Sequence, residues 1–204
     1  GWTTLAMIGV MMLFTGIIGG ATSIVREKER GTLRKILAAP LSPWDVLIGN
    51  TLEILLELLI SGIITVLFGV IVIGAQIYWR WDIDHILVIP LLALGGLSMI
   101  GLGLILSMLC KSTRGATGLG NAIAWPLMFL TGIWIPKWFL PGPLRIFAEY
   151  FPLTQLLDVV RGIVVYQRPI VEFSAPIMAG VTMALIIYVA GSIIWRNSIE
   201  KLIT

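Results

Sequence analysis

The chain has 204 residues, of which 58% are hydrophobic and 12% are charged, and its formal net charge is +3. Soluble domains are about 45–50% apolar and about 25% charged, so the composition excludes soluble globular, disordered and fibrous proteins and predicts an all-α polytopic membrane protein. The small net charge gives no reason to expect a nucleic-acid partner. One cysteine and one histidine exclude a Cys/His zinc site within the chain, and we expect it to bind no metal or cofactor itself.

Five apolar stretches reach the length of about 20 residues that a membrane-spanning helix requires. The first begins directly after Gly1, without the basic segment that opens a signal peptide, so we interpret it as a span and expect the chain to be part of a longer protein. Together the stretches form one transmembrane domain over 1–204, with predicted spans at about 2–25, 46–77, 86–110, 115–135 and 173–195.

Lysine and arginine residues predict how these spans are oriented, because cytoplasmic loops carry an excess of both. They are dense in the connections 26–45 and 111–114 and in the C-terminal tail, whereas the opposite side has one in a short loop and four spread over 136–172. We therefore predict a multi-pass protein of the plasma membrane with a cytoplasmic C-terminus. Gly1 then lies outside, which implies an odd number of spans upstream, most simply one, if the whole protein starts in the cytoplasm.

The connection after the first span is predicted to form an amphipathic helix over 26–39. Its apolar residues recur at i, i+3 and i+4, and its basic residues lie on the other side, which places Leu33, Ile36 and Leu37 opposite Arg30, Arg34 and Lys35. Pro40 is expected to end this helix. Ser42, Pro43 and Asp45 then form a helix-start signature, so the second span should begin as a helix near Pro43.

Polar residues near the start of the second span are candidates for lining a transport pathway. Glu53 and Glu57 lie four residues apart on one helix face, and Asn50 and Ser61 extend that face. Ionisable residues in a span usually face the bundle interior or a watery cavity. The alternative is that both carboxylates lie at the membrane interface and pair with nearby basic residues, and their position near the inner end of the span favours this alternative.

The connection 136–172 is too apolar for a free loop and too often broken by proline to span the membrane. We predict an outer re-entrant segment of short helices over 136–165, because non-helical backbone at that depth is tolerated only where protein buries it. His85, beside Asp82 and Asp84, is expected in a solvated turn and not at a metal site. The aromatic residues at this side predict an interfacial belt, formed by Trp79, Trp81, Trp134, Trp138 and Phe139.

Glycines in the third and fourth spans predict close helix packing, because small residues let helices approach one another in lipid. We interpret them as packing surfaces and not as a ligand site: Gly95, Gly96, Gly101, Gly103, Gly115, Gly118 and Gly120. No G-x-x-x-x-G-K-[ST], H-E-x-x-H or G-x-S-x-G pattern occurs in the sequence. The chain is therefore not predicted to hydrolyse nucleotides or to be an enzyme by itself.

Two motifs resemble those of the permease subunits of type-2 ATP-binding cassette (ABC-2) exporters. Residues 27–33, EKERGTL, and 37–42, LAAPLS, resemble the charged E-R-E-x-G-T stretch and the Pro-Leu/Ile-Ser break between the family's second and third spans. The motif before the last span resembles the family's P-L-[ST]-x-x-x-[DE]-x-x-R element, with Pro152, Leu153, Thr154, Asp158 and Arg161. The order of elements is similar throughout the chain, and the family's six spans agree with one upstream. The first motif is most similar to the branch that exports drugs, antibiotics or lipids.

The resemblance implies a homo- or heterodimer of permeases in the lipid bilayer, docked on two copies of a separate ATPase subunit that binds ATP and Mg²⁺. The 26–39 helix would be the coupling helix, with Glu27, Glu29, Arg30, Gly31, Thr32, Leu33, Ile36 and Leu37 as ATPase-coupling residues. The alternative is a helix that lies on the anionic inner leaflet, which its basic residues support. Glu27, Glu29 and the Gly31–Thr32 break are poorly explained by lipid, so we favour coupling.

The predicted function is therefore that of a permease subunit of an ATP-driven exporter for a hydrophobic or amphiphilic compound. A membrane-embedded lipid-modifying enzyme is one alternative, and it would need clustered Asp, Glu, His or Ser residues within the membrane. An ATPase-independent carrier is another, and it would need charged residues deep in several spans. Only Glu53 and Glu57 approach either requirement, and the other four apolar stretches contain no charged residue.

Overall fold

The computed structural model describes residues 1–31 and 42–203, without the side chains of residue 24 and of residues 198–203. Within these ranges the chain forms helices and no strands. Two 3₁₀ helices, Lys137–Phe139 and Ile170–Phe173, precede the sixth and eighth α-helices. The α-helices in chain order are α1 (Trp2–Glu29), α2 (Pro43–Ile71), α3 (Ile83–Ile86), α4 (Val88–Ser107), α5 (Thr113–Leu130), α6 (Gly142–Tyr150), α7 (Pro152–Val164) and α8 (Ser174–Ile203).

Within the described ranges, four helical stretches are long and apolar enough to span a membrane: Trp2–Glu29, Pro43–Ile71, Ile83–Ser107 and Ile170–Asn197. The all-α membrane fold predicted from composition is thereby confirmed. The predicted span at 115–135 differs, because α5 ends at Leu130 after 18 residues and contains Asn121 and Pro126. The helix stops there because Gly132 adopts the left-handed conformation that ends many helices, with a φ of 72°.

The first helix continues past the predicted end of the first span. Residues 26–29 belong to α1, and Gly31 turns the chain with a φ of 68°. The predicted coupling helix at 26–39 therefore does not begin at residue 26, and its remainder from residue 32 lies outside the described residues. Glutamate and lysine are good helix formers, which explains why α1 extends beyond its apolar part.

The second helix begins where the sequence predicts. The Ser42 side chain accepts a hydrogen bond from the Asp45 backbone N–H at 3.3 Å, and the Asp45 carboxylate accepts one from the Ser42 N–H at 2.8 Å. This reciprocal pair is a capping box, and Pro43 occupies the first helical position, as expected. The helix ends at Ile71 and not at residue 77.

The centre of the bundle is built around α4, which packs closely on α1 and on α8 at glycines. A Cβ atom on Gly103 of α4 would lie 2.3 Å from the Ile17 carbonyl oxygen of α1, and one on Gly101 would lie 2.6 Å from Cα of Tyr188 in α8. Any side chain here would collide with backbone, so the predicted packing role of these two glycines is confirmed. Gly118 of α5, in contrast, faces open space.

The bundle has two chemically different ends. At one end, the Arg196 guanidinium of α8 lies 5.7 Å from the ring centroid of Trp44 in α2. At the other end, Arg80 Nη2 donates a hydrogen bond to Gln167 Oε1 at 2.6 Å. The first, which we call the basic end, contains Arg26, Lys28, Arg30, Lys111, Arg114 and Arg196. The second, which we call the aromatic end, contains Trp79, Trp81, Trp134, Trp138 and Phe139.

The proline-rich segment at the aromatic end forms short helices, as predicted. Pro143 lies in the first turn of α6 and Pro152 is the first residue of α7, positions that proline suits because its missing N–H would have no partner there. The α7 helix is buried along almost its whole length and packs on α4 and α8. The segment is therefore a packed part of the bundle.

His85 is buried, with 4% of its surface exposed, so the predicted solvated turn is wrong. Its Nδ1 atom contacts the Asp82 carboxylate, its Nε2 atom lies 3.1 Å from the Tyr78 carbonyl oxygen, and its ring meets Trp79 edge to face. The Asp82 carboxylate and the Tyr78 carbonyl provide hydrogen-bond partners and the Trp79 ring provides an apolar contact, which explains why the imidazole is buried. In the part of the chain that the structure describes, no group of three or more His, Cys, Asp or Glu residues could hold a metal ion.

Candidate functional site

A polar cleft lies between α1 and α2, in the half of the bundle nearer the basic end. One wall is apolar, and the remaining groups include a cation, a carboxylate and two hydroxyls. Behind this wall, the Trp125 ring of α5 meets Phe14 edge to face with the centroids 5.4 Å apart. The cleft has a volume of about 280 Å³ and is lined by Phe14, Thr15, Ile18, Gly19, Thr22, Arg26 and Glu57. This combination suits a molecule with an apolar body and a polar or charged group.

Of the four residues predicted to line a pathway, Glu57 lines the cleft and the other three do not. Glu53 is exposed and Ser61 is half-buried. Asn50 is also half-buried, and its Nδ2 atom is enclosed without a hydrogen-bond partner among the described residues. Neither carboxylate lies within 4 Å of a basic side chain described by the structure. Sequence reasoning missed Arg26, because no linear signal shows which faces of α1 and α2 meet.

The end of α1 is bound to the start of α5 at the basic end. The Thr113 hydroxyl donates a hydrogen bond to the Glu29 carboxylate. Thr113 is the first residue of α5, and its neighbour Ser112 caps that helix by accepting from the Gly115 N–H at 3.1 Å. Glu29, predicted to contact an ATPase, thus already has a partner within the chain. A displacement of the end of α1 would therefore act directly on α5.

The other predicted coupling residues divide at Gly31. Glu27 is half-buried and Arg30 is exposed at the end of α1. Gly31 has a φ of 68°, which other residues rarely adopt, so the turn alone accounts for a glycine here. The remaining four lie outside the described residues, and their roles stay predictions: Thr32, Leu33, Ile36 and Leu37.

The predicted motif before the last span forms a buried polar cluster at the aromatic end. The Thr154 hydroxyl donates to the Thr131 carbonyl oxygen at 2.7 Å, and Arg161 Nη2 donates to the Ile133 carbonyl oxygen at 3.0 Å. Both bonds join α7 to the segment that follows α5. Asp158 accepts from Arg161 Nη1 at 3.0 Å and from Lys137 Nζ. We call this cluster the α7 clasp: Lys137, Thr154, Asp158 and Arg161 with the two carbonyl groups.

Arg161 is the centre of the α7 clasp. It is 4% exposed, and its Cζ atom lies 4.5 Å from the Trp2 ring centroid, so it also contacts the first residue of α1. Burial lowers the pKa of Arg161, and the Asp158 carboxylate opposes that shift. Removing one partner from a buried ion pair leaves an uncompensated charge, which is strongly destabilising. The clasp therefore fixes α7 against the first helix and the Gly132 turn.

The two apolar residues of the motif position the clasp. Pro152 begins α7, and the fully buried Leu153 packs so close to α4 that its Cδ1 atom would lie 3.0 Å from a Cβ on Gly95. The structure thus brings all five predicted motif residues into one helix and three of them into the clasp. Sequence reasoning missed Lys137 and the carbonyl groups, because a main-chain acceptor has no side-chain signature.

A helical bundle with four stretches long and apolar enough to span a membrane defines a polytopic helical membrane protein. The chain belongs to the ABC-2 type transporter family, whose model matches residues 3–165. The resemblance predicted from the motifs is thereby confirmed. The match includes the whole of α1 to α7 apart from the first residue of α1, and so contains both the cleft and the clasp.

Two curated relatives are similar to the chain at low identity. The probable multidrug ABC transporter permease YbhR of Escherichia coli (strain K12) is 25% identical over 167 residues, which cover 79% of this chain and 43% of that protein. Nodulation protein J of Rhizobium meliloti (strain 1021) is 24% identical over 170 residues, which cover 80% and 63% of the two chains. The matched part of the chain thus spans less than half the length of YbhR. No solved structure is a significant match.

Proposed function

We propose that the chain is the permease part of an ATP-binding cassette exporter that moves hydrophobic or amphiphilic compounds across the plasma membrane. The main support is that α1 both lines the polar cleft and contains the first residues of the predicted coupling segment. One helix thus joins a site suited to an amphiphile to the place where an ATPase would bind. The name of the relative YbhR, a probable multidrug permease, agrees with this proposal.

The cleft determines which compounds the exporter would accept. An amphiphile would place its apolar body against Phe14 and Ile18, and its polar group near Arg26 or Glu57. Charged residues within a span are costly unless they face a cavity or a partner. Arg26 and Glu57 both face the cleft, so a bound anion or cation would find a counter-charge there. The apolar wall has no dense pattern of hydrogen-bonding groups, which favours a broad chemical class over one specific compound.

Energy would come from a separate ATPase in the cytoplasm, with two copies of it serving two permeases. ATP and Mg²⁺ would bind to that subunit. Leu33, Ile36 and Leu37 would fill an apolar groove of the ATPase, and a movement there would pass through the Gly31 turn into α1. The bond between Glu29 and Thr113 would transmit the same movement to α5. Because α1 lines the cleft and Trp125 of α5 contacts the lining residue Phe14, this movement would change the cleft.

A docking experiment tests the coupling role. We expect Leu33→Asp, in the complete transporter purified with its ATPase, to weaken ATPase retention at least tenfold, since burying a leucine contributes about 1.5–3 kcal/mol and about 1.4 kcal/mol is a factor of ten. Leu109→Asp is the matched control, because Leu109 is an exposed leucine at the same end of the bundle. Normal retention by Leu33→Asp would favour the alternative of a helix lying on the lipid surface.

A transport experiment tests the source of energy. In cells that lack other efflux pumps, we expect export of a fluorescent lipophilic cation to require both this permease and an ATPase with an intact phosphate-binding lysine. Export that continues with the inactive ATPase would identify an ATPase-independent carrier. Unchanged dye levels, together with altered lipids in the same cells, would instead favour a lipid-modifying enzyme.

A further inference from the structure

A second cavity, separate from the polar cleft, opens between α1, α2 and α4 and reaches toward the aromatic end. Its volume is about 460 Å³, its floor comes from α7, and it shares no residue with the cleft. We call it the apolar groove. Its wall has no charged residue, and representative lining side chains are Leu5, Ile8, Leu59, Leu67, Leu92 and Val164.

The groove exists because α2 packs loosely against the rest of the bundle. Only 17% of the most apolar 18-residue stretch of α2 is buried, against 59% for the corresponding stretch of α1. Gly62 lines the groove without filling it, since a Cβ there would meet nothing nearer than a Met11 methyl group at 4.0 Å. Water is a poor occupant because it needs two to four polar partners. The helices around the groove span the membrane, so hydrocarbon is the medium that borders it.

The length of the groove suits one alkyl chain. Along α2 it extends from Leu52 to Leu67, about 22 Å at 1.5 Å per residue. A hydrocarbon chain about 4 Å across, the contact distance of carbon atoms, occupies roughly 280 Å³ over that length, so the groove can hold one such chain.

The mouth of the groove has the chemistry of a lipid headgroup region. Trp79 lines the mouth and is held edge to face against Trp81, whose side chain is 89% exposed, as in an interfacial aromatic belt. Arg80 follows directly, and its bond to Gln167 uses one of the five N–H donors of the guanidinium. The remaining donors can bind a phosphate, because arginine matches phosphate oxygens in a bidentate manner.

We propose that the apolar groove binds one acyl chain of a bilayer phospholipid from the leaflet at the aromatic end, with the lipid phosphate at Arg80. The apolar wall selects the hydrocarbon chain, and the guanidinium at the mouth selects a phosphate-bearing lipid over an uncharged one. The proposal is independent of the exported compound, which the cleft would bind, and the two sites can therefore be altered separately.

Photo-crosslinking in nanodiscs tests the proposal. The complete transporter is reconstituted with a trace of phosphatidylglycerol, or of diacylglycerol, that carries a diazirine in the middle of one acyl chain, and labelled peptides are mapped by mass spectrometry. We expect label from phosphatidylglycerol on Ala93 and on the residues of 59–67 that line the groove, at least fivefold above the exposed α8 residues Ile186 and Val189. The lining residues of that range are Leu59, Gly62, Ile63, Val66 and Leu67. Gly62→Phe and, independently, Ala93→Phe should remove the excess, whereas Ile186→Phe should leave it.

The phosphate contact has its own readout. Phosphatidylglycerol should label the groove at least threefold more than diacylglycerol, and Arg80→Gln should abolish that preference while label on residues 59–67 persists. Equal labelling of the groove and the exposed α8 surface would overturn the proposal. So would displacement of the label by an exported dye, which would make the groove a cargo site, or cross-links between two copies of α2, which would make it a subunit interface.

Discussion

α2 and α7 show opposite relations between apolarity and burial. The most apolar of the spanning helices is α2, yet little of it is buried, whereas α7 contains Thr154, Asp158 and Arg161 and is buried almost throughout. In a soluble protein the charged residues would be the exposed ones. In a bilayer, hydrocarbon is as apolar as leucine, so an exposed leucine costs nothing and a polar group must find a partner inside the protein.

The comparison changes how sequence patterns in such a chain are interpreted. A long uncharged run indicates that a helix crosses the membrane, but it does not indicate that the helix packs well. Polar residues in a short segment, each with a partner elsewhere in the chain, indicate a fixed position in the bundle. On this basis the α7 clasp is a structural anchor, and α2 is the helix most open to lipid or to a partner.

The largest expected effect comes from breaking the α7 clasp. Asp158→Leu removes the carboxylate and leaves the Arg161 guanidinium, which is 4% exposed, without its counter-charge, so we expect a loss of about 3–5 kcal/mol in stability. Thermal unfolding of the purified protein in detergent measures it. The control is Arg145→Leu, which breaks an exposed pair with Glu149 and should cost about 0.3–0.5 kcal/mol. Similar losses for both variants would show that the clasp is not an anchor.

Truncation of apolar side chains should separate the same two helices. Leu157 of α7 is fully buried, and Leu157→Ala should lower stability by about 2–5 kcal/mol through lost contacts and a residual cavity. Ile64 of α2 is 60% exposed, and Ile64→Ala should change stability by no more than about 0.5 kcal/mol. The same unfolding assay compares them. A large loss at Ile64 would mean that α2 packs against a partner in the assembled protein.

Local patterns predicted much of this fold. The start of α2 at Pro43 was predictable because Ser42 and Asp45 form a cap within four residues. The end of α5 was missed because the left-handed Gly132 is one of several glycines, and nothing in the sequence marks which one ends the helix. His85 was misplaced because its acceptors belong to neighbouring turns whose geometry only the fold supplies.

The candidate sites were harder to predict than the helices. The five motif residues of α7 were found by resemblance, but the carbonyl groups that they bind lie more than twenty residues away along the chain. Glu57 was selected for its charge within a span, whereas its cleft neighbour Arg26 was assigned to the amphipathic helix 26–39 because the first span was expected to end at Val25. Contacts between distant helices depend on which faces meet, and periodicity alone does not specify that.

The polar cleft gives a smaller and more selective effect than the clasp. Glu57→Gln should reduce export of lipophilic cations about tenfold, equivalent to about 1.4 kcal/mol, because the counter-charge in the cleft is lost. Export of uncharged compounds should change little. Glu53→Gln is the matched control, since Glu53 lies on the same helix outside the cleft. Efflux assays at equal membrane expression compare the two variants. Equal effects on export would show that the cleft is not part of the transport pathway.

The smallest expected effect is at the bond that joins α1 to α5. Thr113→Val removes the hydroxyl that donates to Glu29, and the effect should be small because water competes for the bond at this exposed site. We expect a reduced stimulation of ATPase activity by the exported compound, with unchanged binding of that compound. Thr65→Val is the control, because the Thr65 hydroxyl bonds to the Ser61 carbonyl within α2.

Glu29→Gln keeps an acceptor for Thr113 and should retain most of the stimulation. If Thr113→Val and Thr65→Val behave alike, then movement at the coupling segment does not reach α5 through this bond, and α1 alone would connect the ATPase to the cleft.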